Sequence, residues 1–200
     1  MKGSMLAIVS FIILLTGCGP STKIEKSWTD PSLATAPIKP FNKALVVGLL
    51  KDESTRRIAE DKMVAAMKSK AVQSYTYLQP GDSKDNTDEI TARLKKDGFD
   101  GVVIMRLADM EKSMSYVPGT TYGGWGGYYR YGYGMYGSPG YYTEDKTYYV
   151  ETNVYSLADD KLLWSGMTST LNPGKTSKMI DDVINTIKNK MTEEKLISKK

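Results

Sequence analysis

The residues with the most recognisable chemistry in this 200-residue sequence form the motif GKTS at Gly174–Ser177. A phosphate-binding P-loop has the pattern G-x-x-x-x-G-K-[ST], in which successive backbone N–H groups surround the phosphates. Here Ser169 stands where the first glycine is required, and Pro173 removes one of the N–H groups. The motif therefore predicts a turn followed by a helix that Thr176 caps, and we expect no nucleotide partner.

Composition restricts catalytic and metal-binding chemistry. The sequence contains no His and a single Cys, which excludes histidine bases, Ser-His-Asp triads, histidine metal sites and disulfides. In the acidic segment GDSKDNTDE, Asp82, Asp85 and Asp88 are three residues apart, whereas EF-hand loops place their calcium ligands at alternate positions. We therefore expect no catalytic residues, no metal site and no cofactor, and a protein that is not an enzyme.

A pair of arginines, Arg56 and Arg57, lies at the predicted start of a helix, where the helix dipole disfavours cations. Two interpretations stay open. The arginines hold an anionic ligand, or they form ion pairs one turn later with Glu60 and Asp61, each contributing only about 0.3 kcal/mol. We favour the ion pairs.

The first residues of the sequence predict export and lipidation. Lys2 precedes an apolar run, Met5–Leu15, which has the length of a signal-peptide core and is shorter than a membrane span. The run leads into LTGC at Leu15–Cys18. This tetrapeptide resembles the bacterial lipobox, in which the cysteine is diacylated and the signal is cut just before it.

The lipobox implies a location for the mature protein. We expect residues 1–17 to be a signal peptide and Cys18 to hold the protein in a membrane through two or three acyl chains. Gly19 follows the cysteine, where Asp would favour retention in the inner membrane. The expected location is therefore the outer membrane of the bacterial cell envelope, with the protein facing the periplasm.

Behind Cys18 the sequence predicts a tether and one domain. Residues 18–40 are rich in Ser, Thr, Pro and Lys and are typical of a spacer. Within it, Lys23–Trp28 is a candidate edge strand that docks Trp28 on the domain. Residues 41–198 are enough for a single hydrophobic core and form the predicted domain.

Strand and helix patterns alternate along this domain in the order β-α-β-α-β-β-β-α. The expected strands are Lys43–Leu50, Ala71–Leu78, Asp100–Val117, Lys146–Leu157 and Lys161–Leu171. Right-handed crossovers make the first three parallel, and a tight turn makes the last two an antiparallel hairpin. The prediction is an α/β (α+β) fold with a mixed sheet of about five strands that helices cover.

Apolar residues repeated every three or four positions predict the helices. The first has Ser54 as its candidate N-cap and an apolar stripe that includes Ala59 and Met63. The second begins at Asn86 and ends at Gly98.

A third helix closes the domain at Lys178–Met191, with its apolar positions on one face. Trp164, in the last predicted strand, is expected to pack beneath this helix near Ile184 and Ile187. This would place the largest side chain of the strand at the centre of the core.

Several short motifs of the chain occur in a known family. They are Trp28, RR..ED (Arg56, Arg57, Glu60, Asp61), DG (Asp100, Gly101), VET (Val150–Thr152) and LLW ending at Trp164. On these motifs the chain resembles an uncharacterised family of small bacterial lipoproteins. More distantly, it is similar to the amino-terminal domain of the Tol translocation propeller protein and to the lipoprotein activators of penicillin-binding proteins. The resemblance implies an α/β periplasmic domain and supplies no catalytic residues.

The segment Gly119–Tyr142, between the third and fourth strands of the domain, contains nine Gly, eight Tyr and one Trp. A loop of this length is commonly either functional or disordered. Its aromatic rings offer flat faces with a polar edge, which suit sugar rings, peptide backbones or lipid headgroups. Nucleic acid is not expected, because Arg130 is the only charge. The candidate contact residues are Tyr122, Trp125, Tyr128, Tyr129, Arg130, Tyr131, Tyr133 and Tyr136.

Three interpretations of this segment stay open: a flexible loop without a specific role, a loop that contacts glycan or protein, and a self-association surface. For the whole protein, we expect a non-enzymatic lipoprotein of the cell envelope that is an accessory or adaptor for other envelope components. The alternative is a glycan- or peptidoglycan-binding module that uses the Gly/Tyr-rich loop.

Overall fold

A computed structural model describes residues 22–34, 37–67, 70–79, 81–82, 84–117 and 141–197. In these residues, six strands form one mixed sheet. The strands are β1 (Thr22–Thr29), β2 (Lys43–Leu49), β3 (Lys70–Gln73), β4 (Gly101–Val117), β5 (Tyr141–Ser156) and β6 (Lys161–Leu171). The α-helices are α1 (Glu53–Ala66), α2 (Ser74–Tyr77), α3 (Thr87–Lys96) and α4 (Thr176–Glu193). Within the same ranges, no helix combines the length and the apolar character that crossing a bilayer requires.

The strands lie in the order β1-β6-β5-β4-β2-β3 across the sheet. β2 is parallel to β3 and to β4, and the remaining neighbours are antiparallel. This confirms the predicted α/β (α+β) fold, its three parallel strands and its hairpin. The described sheet has six strands rather than about five, because β1 is added at the edge. Thr22–Thr29, within the segment predicted as tether, therefore belongs to the sheet.

Two hydrophobic clusters lie on opposite faces of the sheet. On the α1/α4 face, these two helices pack on Val46, Val103 and Trp164. On the α3 face, α3 packs on Leu45 and Val102. Because successive residues of a strand point to opposite faces, β2 and the first part of β4 are buried on both sides. This accounts for their nearly continuous apolar sequences.

The prediction for Trp164 is confirmed. Its side chain is fully buried and belongs to the same cluster as Ile184 and Ile187 of α4. The ring lies across Gly166, where a Cβ would stand 2.1 Å from the nearest ring atom. Trp164 Nε1 donates a hydrogen bond to Glu194 at 2.9 Å. The indole therefore fills the core and keeps its one polar group satisfied.

The prediction for Trp28 is wrong in one respect. β1 forms where the edge strand was expected, but the Trp28 side chain is 47% exposed. Trp28 pairs with Ser165, which places its side chain on the sheet face away from α4. The two residues that flank Trp28 attach β1 to the domain instead. The Ser27 and Thr29 hydroxyls donate hydrogen bonds to Glu194 at 2.8 and 3.2 Å.

Two predicted helix starts are corrected. α1 has Asp52 as its N-cap, and the Asp52 carboxylate accepts the N–H of Thr55 at 2.8 Å. Ser54 is already helical, so its hydroxyl does not cap the helix. Similarly, Thr176 is the first helical residue of α4 and Lys175 occupies the N-cap position without a side-chain capping bond.

The predicted strand Ala71–Leu78 is half strand and half helical turn, because β3 ends at Gln73 and α2 follows. A buried carboxylate from α1 explains the change. Glu60 accepts the Ser74 hydroxyl at 2.7 Å and the Tyr75 N–H at 3.3 Å. These bonds hold the chain against α1 at the point where an extended strand would continue.

Candidate contact surface

β4 and β5 extend beyond the other strands of the sheet. β2 accompanies β4 only as far as Arg106, and β6 accompanies β5 only from Thr147 onward. In the part of the chain that the structure describes, Lys112–Val117 and Tyr141–Lys146 pair only with each other. They form a two-stranded ribbon about 20 Å long, which we call the arm.

One side of the arm is apolar and exposed. Cross-strand partners share a side of a ribbon, so Met114 lies beside Glu144 and Tyr116 beside Tyr142. The Met114, Tyr116 and Tyr142 side chains are 79%, 56% and 72% exposed. The two tyrosine rings are 5.1 Å apart between centroids. Together with the facing pair Lys112 and Lys146, these residues form what we call the arm surface.

The opposite side of the arm is polar. Ser113 pairs with Asp145, and Ser115 pairs with Thr143. The Ser115 hydroxyl donates to Asp145 at 2.6 Å, and this bond, with a second one from Asn172, holds the pKa of Asp145 below its ordinary value. The arm therefore has two chemically different sides, and a partner that prefers apolar groups would bind the side on which Met114 lies.

The arm surface continues the α1/α4 face of the sheet. A bulge between Leu107 and Asp109 adds one residue to β4, so that Met110 opposes Tyr148 just as Leu107 opposes Val150. Without the bulge, Met110 and the residues after it would lie on the other side. The arm surface therefore lies on the same face of the sheet as the core beneath α1 and α4, with the pair Lys112 and Lys146 between Met110 and Met114.

A cavity of about 270 Å³ lies where the arm leaves the sheet. Its floor includes Met105 and Val150, and Tyr148 lies at the base of the arm. Its rim includes Thr55 and Thr176, in the first turns of α1 and α4. The cavity exists because both helices begin here and leave the adjoining part of the strands uncovered.

The arm surface carries more positive than negative charge. Glu144 lies between two lysines, with Nζ of Lys146 at 3.2 Å and Nζ of Lys112 at 3.5 Å. The hydrogen bond from Lys146 and the charge of Lys112 hold the pKa of Glu144 below its ordinary value. The carboxylate is therefore ionised at neutral pH, and it offsets one of the two lysine charges.

Most of the predicted site residues lie outside the described residues. Cys18 and the candidate contacts from Tyr122 to Tyr136 belong to this group, and their roles stay predictions. Of the segment Gly119–Tyr142, the last two residues are part of β5. Met114 and Tyr116 were not among the predicted contact residues, because their alternation with serines indicates a two-sided strand without indicating which side is uncovered.

Arg56 and Arg57 do not pair with Glu60 and Asp61, so that prediction is wrong. Both guanidinium groups bind Glu53, at 2.9 and 2.8 Å. These hydrogen bonds, from Arg56 and then from Arg57, hold the pKa of Glu53 below its ordinary value. Glu60 is buried instead among hydrogen-bond donors of the backbone and of Ser74.

Two further motifs have structural partners. Asp82 of the acidic segment forms an ion pair with Arg93 of α3. Asp100 of the DG motif accepts the backbone N–H groups of Asn42 and Lys43 at 2.9 and 3.1 Å, which fixes the start of β2. Within the described residues, no group of three or more acidic side chains is arranged to hold a metal ion.

No protein-family model matches the chain, and no curated protein matches it. Among solved structures, it is similar to a PelC dodecamer from Paraburkholderia phytofirmans, with 10% identity and a TM-score of 0.44, over 82% of this chain and 92% of that one. It is also similar to lipoprotein GNA1162 from Neisseria meningitidis, with 13% identity and a TM-score of 0.41, over 76% of this chain and 98% of that one. Similarity at this level says nothing about what this chain binds. The expected relation to the Tol protein and to the penicillin-binding-protein activators stays a prediction.

Proposed function

We propose that this protein is a non-enzymatic, lipid-anchored protein of the bacterial cell envelope that contacts another envelope component through the arm surface. The observation that carries the contact is the uncovered apolar side of the arm, with Met114, Tyr116 and Tyr142 exposed together. The lipid anchor is supported by the lipobox pattern at Leu15–Cys18. Gly19 after the cysteine supports the outer membrane, with the domain in the periplasm.

Exposure of these three side chains is costly unless something covers them. Soluble proteins tolerate single exposed apolar residues, whereas contiguous ones mark sites of interaction. Tyrosine is also enriched among residues that dominate binding energy, because its ring buries a large area and loses little conformational freedom. The paired backbone of β4 and β5 positions the side chains in advance. An accessory or adaptor role fits such a preformed surface.

A glycan- or peptidoglycan-binding module is the second candidate. The observation in its favour is the Tyr116–Tyr142 pair, whose rings are exposed at the end of the arm from which the Gly/Tyr-rich segment continues. Exposed aromatic faces suit sugar rings as well as apolar partners. Sedimentation with insoluble peptidoglycan separates the two candidates, because the second requires the protein to pellet and a Tyr116→Ser, Tyr142→Ser variant to remain in solution.

Site-specific photo-crosslinking in growing cells tests the contact itself. A photoreactive residue at Met114 reports on the arm surface, and one at Ser113 reports on the opposite side of the same strand. We expect products from position 114 and few from position 113, with the captured component identified by mass spectrometry. Equal yields from both positions, or none, would contradict the arm surface as the contact site.

The anchor is tested separately with Cys18→Ser. If Cys18 carries the acyl chains, this variant is released from the membrane fraction. Retention of the variant after a high-salt wash would refute the lipoprotein assignment, whatever the arm binds.

A further inference from the structure

We propose that the arm surface lies against the same bilayer that holds the acylated Cys18, so that Met114, Tyr116 and Tyr142 enter its headgroup region. The inference rests on the lipid anchor of the proposed function and names the envelope component that the arm contacts. It follows from the distance between the anchor and the sheet, from the end of the sheet that faces the anchor, and from the chemistry of the arm.

The chain between anchor and sheet is short. β1 begins at Thr22, so only three residues separate it from Cys18. Four Cα–Cα steps span at most about 14 Å when fully extended. The start of β1 is therefore held close to the membrane surface, rather than at the far end of a tether that extends to residue 40.

The anchor and the arm are at the same end of the sheet. Thr22 pairs with Thr170, which in turn pairs with Tyr148, and Tyr148 pairs with Met110 at the base of the arm. These four residues form a row across the sheet. β1 runs from this row in the direction opposite to the arm, so the N-terminal end of β1 is at the end of the sheet from which the arm projects.

The arm is longer than the chain that leads to the anchor. From Met110 to Val117, β4 advances about 23 Å beyond the row, compared with at most about 14 Å between Thr22 and the Cys18 Cα. If the sheet stands upright on the membrane, the arm reaches into the bilayer. If the sheet leans, the arm lies along the bilayer surface. In both orientations the arm is within reach of lipid.

The chemistry of the arm surface suits a membrane interface. Tyrosine is enriched at the headgroup level, where its ring is buried and its hydroxyl stays hydrated. Lys112 and Lys146 lie on the same side as Met114, and lysines near a bilayer attract anionic lipids. Ser113 and Asp145, on the opposite side, remain suited to water. A partner protein at this surface would have to fit into the narrow space between the domain and the bilayer.

Fluorescence in proteoliposomes tests the inference with the full-length lipidated protein. Cys18 is the only cysteine, and lipidation converts its thiol to a thioether, so in the lipidated protein Met114→Cys adds a single reactive thiol for the dye NBD. Ser113→Cys provides the matched control on the other side of the strand. The vesicles contain phosphatidylethanolamine and phosphatidylglycerol, with or without lipid spin-labelled near the headgroup. We expect a blue-shifted emission that spin-labelled lipid quenches at position 114, and emission that aqueous iodide quenches at position 113.

Each other outcome contradicts the inference in a recognisable way. Equal iodide quenching at both positions would place the arm surface in water. Protection at position 114 from both quenchers would mean that a second copy of the chain covers it. In either case, protein that still floats with the vesicles shows that the anchor of the proposed function is intact. Protein that does not float shows instead that the anchor assignment has failed. Thermal melting of both labelled variants confirms that each is folded.

Discussion

The inner and outer halves of the β4–β5 pair share one hydrogen-bonded backbone and have opposite surroundings. In the inner half, Val103, Met105, Val150 and Val154 are buried beneath α1 and α4. In the outer half, the side chains of the arm surface continue the same face and are exposed. The difference arises from the helices, because both begin level with the cavity and do not extend over the arm. Strand alternation alone therefore does not distinguish a core face from a contact face.

Stability of the fold and contact with a partner are therefore expected to depend on different halves of the same two strands. Substitutions beneath the helices remove packed contacts and are expected to unfold the domain. Substitutions on the arm change only side chains that water already reaches, so they are expected to change binding while the fold persists.

Trp164→Ala is expected to have the largest effect. The substitution leaves a cavity beneath α4 and removes one of the hydrogen bonds that Glu194 accepts, and such truncations typically cost about 3–5 kcal/mol. The free energy of unfolding, measured by chemical denaturation, checks the value. Trp28→Ala is the matched control, since Trp28 is half exposed at the sheet edge and its loss should cost much less. Equal losses for the two variants would contradict the burial difference.

Glu60→Ala is expected to cost about 3 kcal/mol. The Glu60 carboxylate accepts hydrogen bonds from Gly48, Ser74 and Tyr75, and removing it leaves these buried donors without their acceptor. The control is Glu53→Ala, which removes exposed ion pairs that contribute little to stability. If Glu60→Ala unfolds at the same denaturant concentration as the control, the buried carboxylate does not fix the turn after β3.

Much of the fold was predictable because its determinants are close together in sequence. The closing helix repeats Ile180, Val183 and Ile187 at helical spacing, and all three are buried as predicted. The short connection between β5 and β6 likewise predicted their hairpin, and the long apolar run of β4 predicted its buried half. In each case the pattern that determines the structure lies within one element and its neighbour.

The errors involve partners that are distant in sequence. The turn at Ser74 depends on a carboxylate fourteen residues earlier, which a local strand pattern does not reveal. The exposure of Trp28 depends on its register with β6. The arm surface depends on where the helices begin and on the bulge after Leu107, which keeps Met114 on the apolar side. The alternation of residues 112–116 shows a two-sided strand, but it does not show which side is covered.

Acid should weaken the attachment of β1 to α4. Burial alone raises the pKa of Glu194, but hydrogen bonds from Ser27, Trp164 and Lys190 outweigh it and hold the pKa below its ordinary value of 4.5. A lowered pKa contributes stability above pH 4.5 that is lost as the pH falls through the folded-state pKa. Glu194→Ala is therefore expected to cost about 2 kcal/mol at pH 7 and less at pH 3.

Urea unfolding at the two pH values measures this difference. Glu193→Ala is the control, because Glu193 is exposed next to Glu194 in the sequence. A cost of Glu194→Ala that does not change with pH would mean that the ionised carboxylate is not what stabilises β1.

The smallest effect on stability is expected from replacing residues 119–140 with a short Gly/Ser linker. The strand after this segment was predicted to begin at Lys146, whereas β5 begins at Tyr141, which pairs with Val117 at the end of β4. A linker therefore has to bridge only one pair of adjacent strands, and loop closure changes by about 0.6 kcal/mol for each doubling of length. The expected change in the free energy of unfolding is below about 1 kcal/mol.

The same variant shows whether the arm surface acts without the segment that follows it. If Met114, Tyr116 and Tyr142 make the membrane contact, NBD at position 114 keeps its lipid quenching after the replacement. Lost quenching at unchanged melting temperature would assign the contact to residues 119–140 instead. A large fall in melting temperature would mean that those residues pack against the domain. Residues 119–140 would then cover the arm, and the outer half of the β4–β5 pair would belong to the core rather than to a contact surface.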